Sequence, residues 1–201
     1  MTSRRIGLVV AIGGVFAGLA ATSYLLPNPS TAEAEAQSLL VLGSIGDFEL
    51  TAQDGKTFSS EELAGQVWVA DFIFTRCPSA CPEMTSTLAE LFEEFGSHPD
   101  LRMVSISVDA EYDSPEVLSE FAAKYDADPN RWHFLSGPNE YVQQLSVNDF
   151  QIAAAETPAS HSLRFILVDR RGDIRGYYHS NDPEAVDTLR SDIAKLLPAG
   201  A

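Results

Sequence analysis

Residues 74–85 read Phe-Thr-Arg-Cys-Pro-Ser-Ala-Cys-Pro-Glu-Met-Thr and hold both cysteines of the 201-residue chain. Before them, Trp68 to Phe74 is mostly apolar, as expected of a strand covered on both faces. After them, Leu88, Leu91, Phe92 and Phe95 recur at helical spacing within Met84–Phe95. A buried strand, a turn carrying two cysteines and an amphipathic helix are the unit from which the fold is read.

Working outward, Phe48 to Thr51 alternates like a strand, Asp54-Gly55 is a hairpin turn signal, and Lys56 to Phe58 returns. Ser60 to Leu63 reads as a short helical turn. Leu101 to Val108 is a second apolar strand, and Ser114-Pro115 supplies an N-cap and a first-turn proline for a helix reaching about Tyr125. A short strand over Trp132–Leu135 and a short helix over Asn139–Leu145 follow. Strands at Ser162–Asp169 and Ile174–Tyr178 are joined at Arg171-Gly172-Asp173, and Pro183–Leu197 closes the chain as an amphipathic helix. Strands alternating with helices and ending in a hairpin and a helix predict an α/β protein with a central mixed sheet. That is the element order of a thioredoxin-like fold, with an added N-terminal β-hairpin.

The cysteine turn admits three uses: a structural staple, a redox pair, or two legs of a metal site. A disulfide closing so short a loop stabilises by only about 2 kcal/mol, a poor return for the only two cysteines present. The spacing is C-x-x-x-C, one residue longer than the C-x-x-C of ordinary thioredoxin motifs, and Pro78 stiffens the loop. The two sulfurs can therefore bond to each other or splay around an ion. Placing Pro82 in the first helical turn puts Cys81 at the N-cap, where unpaired N–H groups and the helix dipole lower a thiol's pKa. Arg76 assists this, while Asp71 and Glu83 oppose it.

Two sulfurs do not complete a metal site, so the four histidines matter. His98 and His179 are expected in exposed turns, and His133 inside a strand as a packed residue. His161 stands in Pro158-Ala159-Ser160-His161-Ser162, just before a buried strand. In a thioredoxin-like fold that loop passes beside the active-site cysteines. Asp109 and Asp113 follow the second buried strand near the same place. Both are open to roles in an outer shell or in docking, and for Asp113 a solvated turn before the helix cap is the favoured reading.

The run Phe74–Pro82, the segment Ser107–Pro115, and Ser160-His161-Ser162 ahead of Val168–Gly172 together resemble the Sco/SenC family. Asp47–Thr51 with Asp54-Gly55-Lys56 also matches that family's first hairpin. The likeness runs from about Gly43 to Leu197. It implies a membrane-tethered, thioredoxin-fold copper protein serving cytochrome c oxidase assembly, and it carries the family's metal ligands onto Cys77, Cys81 and His161. One copper ion per chain, Cu(I) or Cu(II), follows from the resemblance; the ligand set alone also suits zinc with a water. The implied function is a metallochaperone delivering copper to the CuA centre of cytochrome c oxidase subunit II. The alternative is a thiol–disulfide oxidoreductase that uses Cys77 and Cys81 to reduce the cysteines of the same target. A peroxidase of the peroxiredoxin kind is weakened because Thr75 lies two residues before Cys77, not three.

Residues Ile6–Leu26 are 21 residues without a charge, preceded by Arg4 and Arg5. As a helix they would span about 30 Å, a bilayer core, with residues 1–5 in the cytoplasm and the remainder in the periplasm of a bacterium. Residues 27–42 read as a tether and 43–201 as the thioredoxin-like domain. The rival is a cleaved signal peptide, for which Ala34-Glu35-Ala36 has the small-x-small form. Beyond residue 30 the chain carries 11 basic against 29 acidic residues, a net of −18 that repels nucleic acid and anionic lipid. Fractionation should leave the protein in the membrane pellet after a high-salt wash. Full release of a form beginning near Gln37 would instead establish cleavage after Ala36.

Overall fold

The computed structural model describes residues 39–95, 98–152 and 163–197. Eight strands form one mixed sheet: β1 (Gly43–Ser44), β2 (Glu49–Ala52), β3 (Thr57–Ser59), β4 (Val67–Ile73), β5 (Leu101–Ser107), β6 (Trp132–Ser136), β7 (Arg164–Val168) and β8 (Asp173–His179). Among the described residues, four α-helices accompany them, α1 (Ala80–Glu94), α2 (Pro115–Ala123), α3 (Asn139–Asn148) and α4 (Pro183–Leu196), and Ser60–Leu63 forms the short helical turn expected there. Across the sheet the order is β1-β8-β7-β4-β5-β6-β2-β3. The central strands β4, β5 and β6 are parallel, and β7 runs antiparallel to β4. This is the mixed sheet expected from the alternation of elements, with the β2–β3 hairpin added at the β6 edge.

Strand β4 is buried at all seven positions because helices or loops cover both faces of the sheet. Its alternate side chains enter two cores. Val67, Val69 and Ile73 pack with Cys77, Cys81, Met84, Leu88 and Leu91, and with the apolar faces of α2 and α4. Trp68, Ala70 and Phe72 face the other way, toward Phe48, Leu50 and Phe58 of the hairpin and Val142 and Leu145 of α3. Phe150 centres that second core, meeting Phe72 edge-on at 5.2 Å and Trp68 at 6.0 Å between ring centroids.

Local signals set the boundaries. Ser114 caps α2 by accepting the Val117 N–H, and Pro115 occupies the first turn. Gly55 turns the β2–β3 hairpin with φ of 79°, a conformation costly for a residue with a Cβ. The short strand β1 was not expected. It is a two-residue edge pairing with β8, too brief to leave a periodic pattern. Nearby, a buried Asp169–Arg175 ion pair holds the β7–β8 turn, and Arg175 also donates to the Leu39 carbonyl at 2.6 Å.

The expected span at Ile6–Leu26 and most of the tether lie outside the described residues. Among the described residues, no helix is long and apolar enough to cross a membrane.

One buried group stands apart. Asp71 on β4 is 0% exposed, and no hydrogen bond of good geometry reaches its carboxylate oxygens, the Ser105 hydroxyl giving only a weak interaction. Strand alternation places it on the core face shared with the cysteines. Burial raises its pKa from 3.8 to about 7, and Ser105, opposite it on β5, offsets only part of that cost. The Ser105 hydroxyl also accepts the Trp132 indole N–H at 3.1 Å. Because the folded pKa lies above the unfolded one, the native state binds the Asp71 proton more tightly. Stability is therefore lost as pH rises from about 4 to about 7, by about 4 kcal/mol from this group. In urea titrations of the reduced chain at pH 4, 5.5, 7 and 8, Asp71→Asn should lack this loss, so its stability relative to wild type climbs with pH. A constant difference across that range would show that Asp71 stays ionised in the fold.

Candidate metal centre

The cysteine turn lies where buried β4 ends and α1 begins. Phe74 closes it by accepting the Cys77 N–H at 3.1 Å. The first helical residue is Ala80, with Ser79 at the N-cap, so Cys81 is the second residue of α1 and not its cap. Pro82 still falls in the first turn, where its missing N–H costs nothing.

This shift of the helix start reverses the expected chemistry of the two thiols. Cys77 occupies the position outside the helix, and its Sγ accepts the Cys81 N–H at 3.3 Å. Burial works against its thiolate, but the N–H groups of Cys81, Ser79 and Ala80 together outweigh burial and hold the Cys77 pKa below the usual thiol value. Cys81 is 0% exposed, and burial drives its pKa well above the usual value. The Phe74 N–H, 3.5 Å from Cys81 Sγ, opposes that rise, while the neighbouring Cys77 and Asp71 add to it. The thiol activated at the helix end is thus Cys77, not Cys81 as expected, and Cys81 is the protected one. Both are present as thiols with no disulfide between them.

A polar rim surrounds the turn. Arg76 donates to Asp109 through Nη2 at 2.6 Å and Nε at 3.2 Å, and its guanidinium lies 4.3 Å from the centroid of the Tyr112 ring. Tyr112 is 47% exposed, one of few large apolar side chains so presented among the described residues. Asp113 departs from expectation. It is fully buried, where a solvated turn was the favoured reading. Its carboxylate accepts the Thr75 N–H at 3.1 Å, the Thr75 hydroxyl, and the Ser107 hydroxyl at 2.5 Å. Sequence pattern could not reveal this, because an Asp beside a helix cap is ordinary at an exposed turn; its donors come from two other segments.

Among the histidines, His98 is half-buried where an exposed turn was expected, and its carbonyl accepts from Arg131 at 2.6 Å. His133 is half-buried and packs 4.6 Å from the Phe58 ring, while His179 is exposed at the end of β8. His161 lies outside the described residues. The sheet register nevertheless brings the start of β7 to a defined place. Trp68 pairs with Val168 and Ala70 with Ile166, so β7 begins at the end of β4 from which the cysteine turn departs. Within the described residues, no group of three or more His, Cys, Asp or Glu side chains converges as a metal site. What this part supplies is a pair of soft sulfur donors.

Comparison with known proteins gives the same picture. The SCO1/SenC family profile matches residues 41–197. The SCO1 protein homolog of Bacillus subtilis is 34% identical over 152 residues, covering 73% of this chain and 79% of that protein. The structure of BsSco, described with a disulfide switch and as a member of the Sco family of cytochrome c oxidase assembly proteins, superposes with a TM-score of 0.69 at 32% identity, covering 80% of this chain and 97% of BsSco. The copper-bound ScoI of Arabidopsis thaliana shares the fold, with a TM-score of 0.64 at 24% identity over 76% of this chain and 99% of that one. With its mixed thioredoxin-like sheet, its cysteine turn at the start of α1 and a family match over residues 41–197, the chain belongs to the SCO1/SenC family.

Proposed function

We propose that this chain is a copper metallochaperone that holds one copper ion at Cys77, Cys81 and His161 and delivers it to the CuA centre of cytochrome c oxidase subunit II. The observation that carries this reading is the pair of thiols, one acidified and one buried, held as a dithiol at the N-terminus of α1. Thiolates are soft donors suited to Cu(I), and imidazole suits copper in both oxidation states. The β4–β7 register supports His161 as the third ligand, because β7 starts three residues after it at the cysteine end of the sheet. Copper is the cargo here, so a three-coordinate site that can release its ion fits the task. The domain is proposed to face the periplasm, tethered to the inner membrane by residues 6–26 or released after cleavage near Ala36. There a membrane-bound oxidase subunit is within reach.

A second reading has its own support. The arrangement of an acidified, marginally exposed Cys77 followed by a buried Cys81 is that of an attacking and a resolving thiol. Such a pair would reduce a disulfide in the target's copper-binding cysteines by thiol–disulfide exchange. BsSco is described with a disulfide switch, which accords with the same pair serving both tasks.

One copper ion should bind per reduced chain. His161→Ala should weaken Cu(II) binding by more than about 100-fold, since loss of a ligand exceeds the cost of losing a partner behind it. Cu(I) binding should fall much less, because two thiolates remain. Cys81→Ser should remove both. Equilibrium competition with chelators for each oxidation state checks this.

The decisive cellular comparison is oxidase activity in His161→Ala against Cys77→Ser. Loss in both supports copper delivery. Full oxidase assembly in the histidine variant alone would transfer the function to thiol reduction.

A further inference from the structure

The turn that carries Cys77 is tied to the rest of the molecule by a buried network that the ligand set does not include. Asp113 is 0% exposed, although it is charged in water and lies outside any helix. Burying a carboxylate costs several kcal/mol unless it is well hydrogen-bonded. Here three donors satisfy it, two of them from Thr75, which is two residues before Cys77. The third donor is Ser107 at the end of β5, whose Oγ also accepts the Asp109 N–H at 3.1 Å. Asp113 donates its own N–H to the Asp109 carbonyl at 2.8 Å, and Asp109 in turn holds Arg76. Residues 75, 76, 107, 109 and 113 therefore form one connected unit, with the first two lying in the turn itself. The opposite end of the turn is held by α1, whose Cys81 N–H reaches Cys77 Sγ.

We infer that Asp113 is the positioning residue of this site: through Thr75 it fixes the backbone that presents Cys77 Sγ to the N-terminal N–H groups of α1. The inference rests on the reading of Cys77 and Cys81 as the working pair. Its physical content is a bias between two states of the turn. As a dithiol, Cys77 Sγ takes the N–H donation. As a disulfide, Sγ is bonded to Cys81 Sγ and the backbone between them must close up. A turn pinned in the first geometry favours the reduced pair, which is also the state that takes up copper. Loosening the pin should favour the disulfide. The same pin should set where Cys77 Sγ stands relative to a bound ion.

The test uses the full chain equilibrated with reduced and oxidised glutathione, where one protein disulfide and two glutathione thiols exchange for one protein dithiol and one glutathione disulfide. Asp113→Asn should shift this equilibrium about tenfold toward the protein disulfide, a fall of about 30 mV in reduction potential. It should also move the sulfur-to-Cu(II) charge-transfer absorption of the Cu(II)-loaded chain. Thr75→Val should shift the equilibrium in the same direction, and combining it with Asp113→Asn should add little, since both break one connection. A merely structural role predicts a lowered melting temperature with an equilibrium constant within twofold of the parent and an unmoved spectrum, and that result would overturn the inference. So would fully additive effects of the two substitutions. If Asp113→Asn does not fold, Ser107→Ala, which removes one donor to Asp113 together with the acceptor of the Asp109 N–H, is judged by the same criteria. Should the parent chain bind no copper while Asp113→Asn still shifts the thiol equilibrium, the copper reading falls and the positioning role stands.

Discussion

The end of β4 is the constraint on which the site depends. That strand is buried along its whole length between two apolar cores, so its position is held by packing on both faces and by ladders to β5 and β7. The chain leaves it at Phe74 and must enter α1 within a few residues. The cysteine turn is therefore not an ordinary surface loop. One end hangs from the most buried strand of the protein and the other is the first turn of a helix packed on the same core. A short turn between two fixed elements has few conformations, and Pro78 and Pro82 reduce them further. Preorganisation of this kind lets two sulfurs be held ready for each other or for an ion without the entropic cost of gathering them.

Within that turn, helix geometry divides the labour between chemically identical side chains. Moving the helix start by two residues places Cys77 where the N–H groups converge and Cys81 inside the first turn, against the core. N–H donation outweighs burial at the first sulfur, and burial wins at the second. The result is an asymmetric pair. The reactive thiol meets solvent at 6% exposure, while its partner meets none. Asymmetry of this kind suits exchange chemistry, in which one sulfur attacks and the other resolves. It is equally compatible with metal uptake, in which binding supplies the energy to deprotonate the buried thiol.

Two buried aspartates frame the pair in opposite ways. Asp113 is surrounded by donors and acts as a structural anchor for the turn. Asp71 has only the Ser105 hydroxyl weakly against it, and its carboxyl holds a proton up to near neutral pH. Both lie close to the strand ends that bear the site, and each places stability at the service of a local arrangement. A domain that carries a net charge of −18 beyond residue 30 has abundant acidic surface. Asp71 and Asp113 differ from that surface in being fully excluded from solvent.

Much of this architecture was legible in the residues themselves. Apolar runs at Trp68–Phe74 and Leu101–Val108, the Asp54-Gly55 turn and the Ser114-Pro115 cap each carry a local physical cause, so their elements appear close to where they were expected. Two cysteines four residues apart between a strand and a helix announce the site by residue type alone. The partners of those residues were not legible. Which cysteine is acidified depends on the helix starting at Ala80, a matter of backbone hydrogen bonding that shifts with a residue or two of fraying. The burial of Asp113 depends on donors 38 and 6 residues away in sequence, and that of Asp71 on helices closing over a strand face. Local propensity and spacing, which act along the chain, were determined by the sequence on its own. Solvent exclusion and convergent hydrogen bonding act across it, and only the tertiary structure could decide them.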